Sequence, residues 1–150
     1  MSDDLSRLEG WVEPLLRRLQ PSQRRQLAMA IGRELRRTQA QRIGRQRAPD
    51  GSAYPARRQV RDKNGRIKRR KMFQKLRQAK HFKIRASAGD VSVGFFGRVA
   101  RIAGVHQEGR MDAVRPGGPR VRYERRQLLG FTDADERRIA DQIMEHLAGV

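Results

Sequence analysis

Cysteine is absent from this 150-residue chain. That excludes disulfides, zinc–thiolate sites and cysteine nucleophiles, and it is compatible with a reducing compartment without demanding one. Aromatic residues are scarce at 5% of the chain, whereas a single-strand nucleic-acid binder stacks bases on several rings. No apolar run approaches the roughly 20 residues that span a bilayer, so no membrane partner is expected. The acidic start Met1-Ser2-Asp3-Asp4 lacks the apolar core of a signal peptide, and the expectation is a soluble protein made in the cytoplasm. There is no Gly-x-Ser-x-Gly elbow and no P-loop, and Gly94-x-x-Gly97 is too short for a phosphate fingerprint. His81, His106 and His146 show no ligand spacing, and His106 with Glu108 gives two ligands too close on one segment to suggest a metal. No catalytic residue, metal or cofactor is expected.

What the chain has in excess is positive charge. Thirty-five Lys and Arg stand against 16 Asp and Glu, a formal net charge of +19. Such a chain is drawn to polyanions, whether nucleic acid, acidic protein surfaces or anionic lipid. Only 37% of residues are hydrophobic against 34% charged, so the core must be small. The charge is uneven: residues 61–80 carry ten basic residues and one acid, a net of +9, and residues 131–150 carry two Arg and five acids, a net of −3. Lys68, Arg69, Arg70, Lys71, Lys75 and Arg77 form the densest cluster. They are candidates for a partner or polyanion contact that reads charge rather than base sequence; the plainer reading is a solvated basic loop.

Periodicity divides the chain. Ser2 can cap a first helix with an apolar stripe through Leu5, Leu8, Val12, Leu15, Leu16 and Leu19, which Pro14 would kink or restart. Pro21 opens a second helix with Leu27, Ile31 and Leu35 on one face, ending at Gly44. Residues 45–71 read as a long basic loop or arm. It holds a Pro49-Asp50-Gly51 turn and an Asn64-Gly65 hairpin candidate. Met72, Phe73 and Leu76 suggest a short helix. Residues 82–86 and 91–95 alternate as an antiparallel hairpin, with Phe82, Ile84, Val91, Val93 and Phe95 as core candidates. Val99, Ile102, Ala103 and His106 have helical spacing up to Gly109. Residues 110–120 read as a flexible loop around Pro116-Gly117-Gly118-Pro119, and residues 121–123 as a short strand. Thr132 and Asp135 form a capping pair for a last amphipathic helix that buries Ile139, Ile143, Met144 and Leu147. The expected class is α+β: N-terminal helices, a small antiparallel sheet, a basic arm at about 45–71 and a C-terminal amphipathic helix, in one domain over 1–150.

Several of these segments occur together in one known setting. Arg47-Ala48-Pro49-Asp50-Gly51-x-x-Tyr54, Met72-Phe73-x-x-Leu76, His106-Gln107-x-Gly109 and Arg126-x-Leu128-Leu129-Gly130-Phe131-Thr132-x-x-Asp135 follow one another in that order. The chain thereby resembles the phage virion morphogenesis, or tail completion, proteins of temperate contractile-tailed bacteriophages, with tyrosine at 54 where tryptophan is common. The resemblance implies a structural, non-enzymatic assembly protein of the virion that acts at the head-proximal end of the tail and enables head–tail joining. It also implies other tail or connector proteins as partners and a homo-oligomeric ring, assembled in the host bacterial cytoplasm. In that reading Pro49, Asp50, Gly51, Tyr54, His106, Gly109, Leu128, Leu129, Gly130, Thr132 and Asp135 are structural, and contact with DNA is non-specific. The alternative is a basic nucleic-acid-binding protein acting through sequence-independent phosphate contacts.

Overall fold

A single long helix, α1 (Pro21–Gly44), is the spine of the fold. The computed structural model describes residues 13–57, 60–61, 63–65, 67–68 and 71–149. The expected Ser2 cap and the Leu5, Leu8 and Val12 positions lie outside these, as do Arg69 and Arg70. After helical residues 13–16 and α1 come β1 (Val60–Arg61), β2 (Ile67–Lys68), β3 (Phe82–Ala86), β4 (Val91–Phe95), α2 (Arg98–Glu108), β5 (Met111–Ala113), β6 (Arg120–Arg122) and α3 (Asp133–Ala148). The class is α+β, as expected, but the strands form three separate two-stranded antiparallel hairpins rather than one sheet.

Proline is tolerated in the first turn of α1, where its missing N–H has no intrahelical partner to lose. The buried face runs through Leu27, Gly32, Leu35, Gln39, Arg42 and Ile43 at helical intervals. The helix ends at Gly44, but the left-handed residue beyond it is Gln46, at φ +59°. Its side chain offsets that strain: Gln46 Nε2 donates to Met72 O at 2.9 Å and Met72 N donates back to Gln46 Oε1 at 2.8 Å.

Apolar residues gather in two clusters along this spine. Around its C-terminal half lie Ile43, Tyr54, Phe82, Phe95, Ala103 and Leu128. Around its N-terminal half, Leu27 packs with Ile143 of α3, flanked by Leu16, Ile31, Ile139 and Leu147. Met144, expected on the buried face of α3, is 42% exposed, because the contact to α1 is narrow enough for Ile139, Ile143 and Leu147 to fill.

The β3–β4 hairpin pairs Phe82 with Phe95 and Ile84 with Val93. The two phenylalanine rings stack at 4.8 Å. Gly32 lets the hairpin close on α1, since a Cβ there would stand 2.6 Å from Ile84 Cγ2 and 2.9 Å from Val91 Cγ2. The Asn64-Gly65 turn does join a hairpin, with Val60 opposite Lys68 and Arg61 opposite Ile67.

Two expectations need correction. Residues 72–77 are a run of turns rather than a helix, because Phe73 adopts φ +67° to bring its ring into the core. Residues 110–120 are not an open loop: β5 and β6 pair Met111 with Arg122, Asp112 with Val121 and Ala113 with Arg120. The Pro-Gly-Gly-Pro segment is the tip of this hairpin, with Gly117 at φ +71°.

Candidate functional site

The motif segments, far apart in sequence, converge on one extended stretch, residues 126–130. This stretch belongs to no strand, so its backbone groups need partners from elsewhere. Side chains from three directions supply them. Gln107 of α2 is the main clamp: its Oε1 accepts from Leu128 N at 2.8 Å and Leu129 N at 2.9 Å, and its Nε2 donates to Leu129 O at 2.9 Å. From α1, Arg42 donates to Leu128 O at 2.6 Å and to Arg47 O at 3.0 Å. Gln39 Oε1 accepts from Gly130 N at 3.2 Å and from Arg42 at 3.1 Å. From the turn after α1, the Tyr54 hydroxyl donates to Gln127 O at 2.9 Å. Arg126 in turn donates to Pro55 O at 2.8 Å and Ala56 O at 3.2 Å.

The Pro-Asp-Gly segment is built to meet this stretch. Gly51 takes φ +89°. Asp50 Oδ1 accepts from Ser52 Oγ at 2.5 Å and from Ser52 N at 2.9 Å, and these bonds hold the Asp50 carboxyl below its usual range. Arg47 and Ala53 bridge across the turn. Pro49 is buried, and a Cβ on Gly130 would stand 2.6 Å from its Cγ. The segment expected as an arm over 45–71 therefore begins with a turn packed into the body, because Pro49 and Tyr54 are buried there.

A ladder of rings lines the joint. Tyr54 meets Phe73 edge-on at 5.7 Å, Phe73 meets His106 at 4.9 Å, and His106 meets Tyr123 at 5.3 Å. Such edge-to-face contacts add about 0.5–1.5 kcal/mol each beyond area burial. Burial, then the Arg126 charge, holds the His106 imidazole below its ordinary value. Its Nδ1 is buried without a hydrogen-bond partner, consistent with a neutral ring used for packing. Burial likewise raises the Tyr54 hydroxyl and lowers the Arg42 guanidinium. Gly109 closes α2 at φ +69°, where a Cβ would stand 3.1 Å from Arg125 N.

At the far end of the stretch the capping pair holds as expected. Asp135 N donates to Thr132 Oγ1 at 2.9 Å, and Thr132 N donates to Asp135 Oδ2 at 3.1 Å. Asp135 Oδ1 also accepts from Thr38 Oγ1 of α1 at 2.8 Å, so the cap ties α3 to the spine.

The basic candidates do not converge. Lys71 and Lys75 are exposed. Lys68 lies on β2, and Arg69 and Arg70 lie outside the described residues. Arg77 turns inward, donating to Ala40 O at 3.3 Å and bonding Gln74 Oε1 at 3.2 Å, where its charge suits the C-terminal end of α1. Gln39 and Arg42 are buried members that sequence reading passed over, and Arg126, quoted there only as the start of a motif, is buried too. The available signal was position: Gln39 and Arg42 follow Leu35 on the buried face of α1.

The arrangement can fix four elements around one strand-like segment: the polar groups of Asp50, Tyr54, Arg126, Thr132 and Asp135 are spent on neighbouring backbone, on a neighbouring hydroxyl or on the cap, whereas His106 packs by its ring. Residues 3–148 match the model of the phage virion morphogenesis family. Tail completion protein S of Escherichia phage P2 is 40% identical over 148 residues, covering 97% of this chain and 98% of that protein. No solved structure matches the chain. A family match over nearly the whole chain, and a relative of the same length, place the motif residues in one architecture: the chain belongs to the phage virion morphogenesis family.

Proposed function

We propose that this chain is a structural assembly subunit of a contractile-tailed phage virion, completing the tail at its head-proximal end so that it can join the head. The observation that carries this reading is the 40% identity to a tail completion protein over 97% of the chain. The joint supports it: apart from His106, which packs by its ring, the motif polar groups hold backbone or the cap, as a subunit that works by shape requires, and in this proposal the role is not an enzyme's. In this proposal residues 1–150 act as one unit in the virion, copies assemble as a ring, and other tail proteins are the partners. The basic stretch of Lys68, Arg69, Arg70, Lys71 and Lys75 faces acidic partners, with any DNA contact sequence-independent.

The test is a phage or prophage lacking this gene. Lysates should contain filled heads and separate tails, and adding the purified protein should produce joined particles countable by electron microscopy. Unchanged joining in the deletion would overturn the reading.

A further inference from the structure

Four of the six large apolar side chains that are exposed among the described residues lie on α2 and the β5–β6 hairpin. Ile102 of α2 is 44% exposed, and on the β5–β6 hairpin Met111 is 42%, Val114 51% and Val121 36% exposed. In an antiparallel ladder, paired residues share a face and successive residues alternate. Asp112 pairs with Val121, so Asp112, Val114, Val121 and Tyr123 share one face. That face is fixed against α2, because Arg101 Nη1 bonds Asp112 Oδ1 at 3.0 Å and the Tyr123 ring lies 5.3 Å from His106. Ile102 stands one residue from Arg101 and one helical turn before His106. Ile102, Val114 and Val121 therefore gather along the seam between helix and hairpin. Isolated exposed apolar residues are ordinary, whereas a contiguous group marks an interaction surface.

The hairpin also has open edges. Val114 N donates to Pro119 O and Tyr123 N donates to Arg110 O, both at 3.0 Å. These inner bonds leave the N–H and C=O groups of Arg120 and Arg122 pointing outward from β6. Among the described residues no third strand pairs there. Edges of this kind are templates for an added strand.

Charge selects the occupant. Between residues 110 and 123 the sole acid is Asp112, already engaged by Arg101, while Arg115, Arg120 and Arg122 are exposed. A second copy carries its excess of acid in residues 131–150, most of which form the helix α3 and cannot add as a strand. A nucleic acid would satisfy the arginines but leave the apolar seam uncovered.

We propose that the outer edge of β6 docks an extended segment of an acidic tail protein, which adds as a third strand. The side chains of such a strand alternate: its apolar residues cover the Ile102–Val114–Val121 seam, and its carboxylates on the other face meet Arg120 and Arg122. This rests on the assembly reading only in taking the partner from among tail proteins.

The experiment is co-sedimentation of the full-length protein with tails from phage lacking this gene, using wild type, the double variant Arg120→Glu with Arg122→Glu, and Val114→Asp. All the altered side chains are exposed, so the variants should keep the circular dichroism spectrum and melting midpoint of wild type. Each should bind tails at least about tenfold more weakly, the loss being the expected effect of reversing or uncovering a complementary contact. Variants that bind like wild type overturn the docking surface and leave the assembly reading standing. Variants that lose self-association or DNA retention but keep tail binding also overturn it, in favour of a second copy or a nucleic acid. A wild type that binds no tail overturns both readings.

Discussion

At the scale of single residues, the joint depends on a few side chains that do the work of a missing strand. Gln107 is the clearest, since one side-chain oxygen receives two backbone N–H groups. Leucine at 107 would match the helix propensity of glutamine and remove all three bonds. Each half-buried N–H left without a partner costs about 1–3 kcal/mol, so Gln107→Leu should lower unfolding stability by about 2–4 kcal/mol in a urea titration. A change within error of wild type would show that water replaces the clamp. His106 gives a pH signature. Its folded-state value is depressed below 6.5, so between that lower value and 6.5 the unfolded chain binds more protons than the folded one. The contribution of neutral His106 is present above 6.5 and is lost as pH falls toward the folded value. Wild-type stability should decline over that window, and His106→Phe, which keeps a ring between Phe73 and Tyr123, should flatten the decline. The sequence showed His106 to Gly109 as a helix end, which it is. It could not show what Gln107 holds, because the partners lie 21 and 22 residues away and no local period reports them.

At the scale of elements, legibility followed the strength of local signals. The helices α1, α2 and α3 carried periodicity and termini that sequence alone marks, and α3 also carried a capping pair. The β3–β4 hairpin carried alternation over five residues in each strand. In the β5–β6 hairpin the strands have three residues: residues 121–123 were legible as a short strand, but β5 was too short to alternate visibly and the Pro-Gly-Gly-Pro tip looked like a flexible loop. The 72–77 segment had helical spacing, but local preference lost to the burial of Phe73. Gly32 illustrates the same competition. In an exposed helix, alanine would gain about 0.5–1 kcal/mol over glycine. Here its Cβ would meet Ile84 Cγ2 at 2.6 Å, a branched methyl held in the β3 strand, and overpacking costs about 1–3 kcal/mol. The clash outweighs the propensity. Gly32→Ala should therefore lower the melting midpoint, and a raised midpoint would mean that the hairpin rides over the helix without close packing.

At the scale of the whole molecule, charge governs what the protein does alone and what it does with a partner. The net charge of +19 already counts every acid, and the ion pairs among the described residues lie at exposed or partly exposed positions, such as Arg17–Glu13 and Arg110–Glu108. Pairs of that kind contribute little and leave the surrounding field intact. Two copies approaching in dilute salt repel each other, while an acidic tail surface attracts either. Screening shortens from about 10 Å at 0.1 M salt to about 3 Å at 1 M, so salt should act with opposite sign on the two associations. Self-association, followed by sedimentation velocity, should be weakest at low salt and rise as salt is added. Binding to tails lacking the protein should be tightest at low salt and fall over the same range. If copies instead form a ring that is most stable in low salt, complementary contacts between subunits must outweigh the net repulsion. If both associations weaken together, the subunit interface is itself electrostatic. Opposed slopes would mean that copies come together on the tail rather than free in solution, the tail surface cancelling the charge that keeps free copies apart.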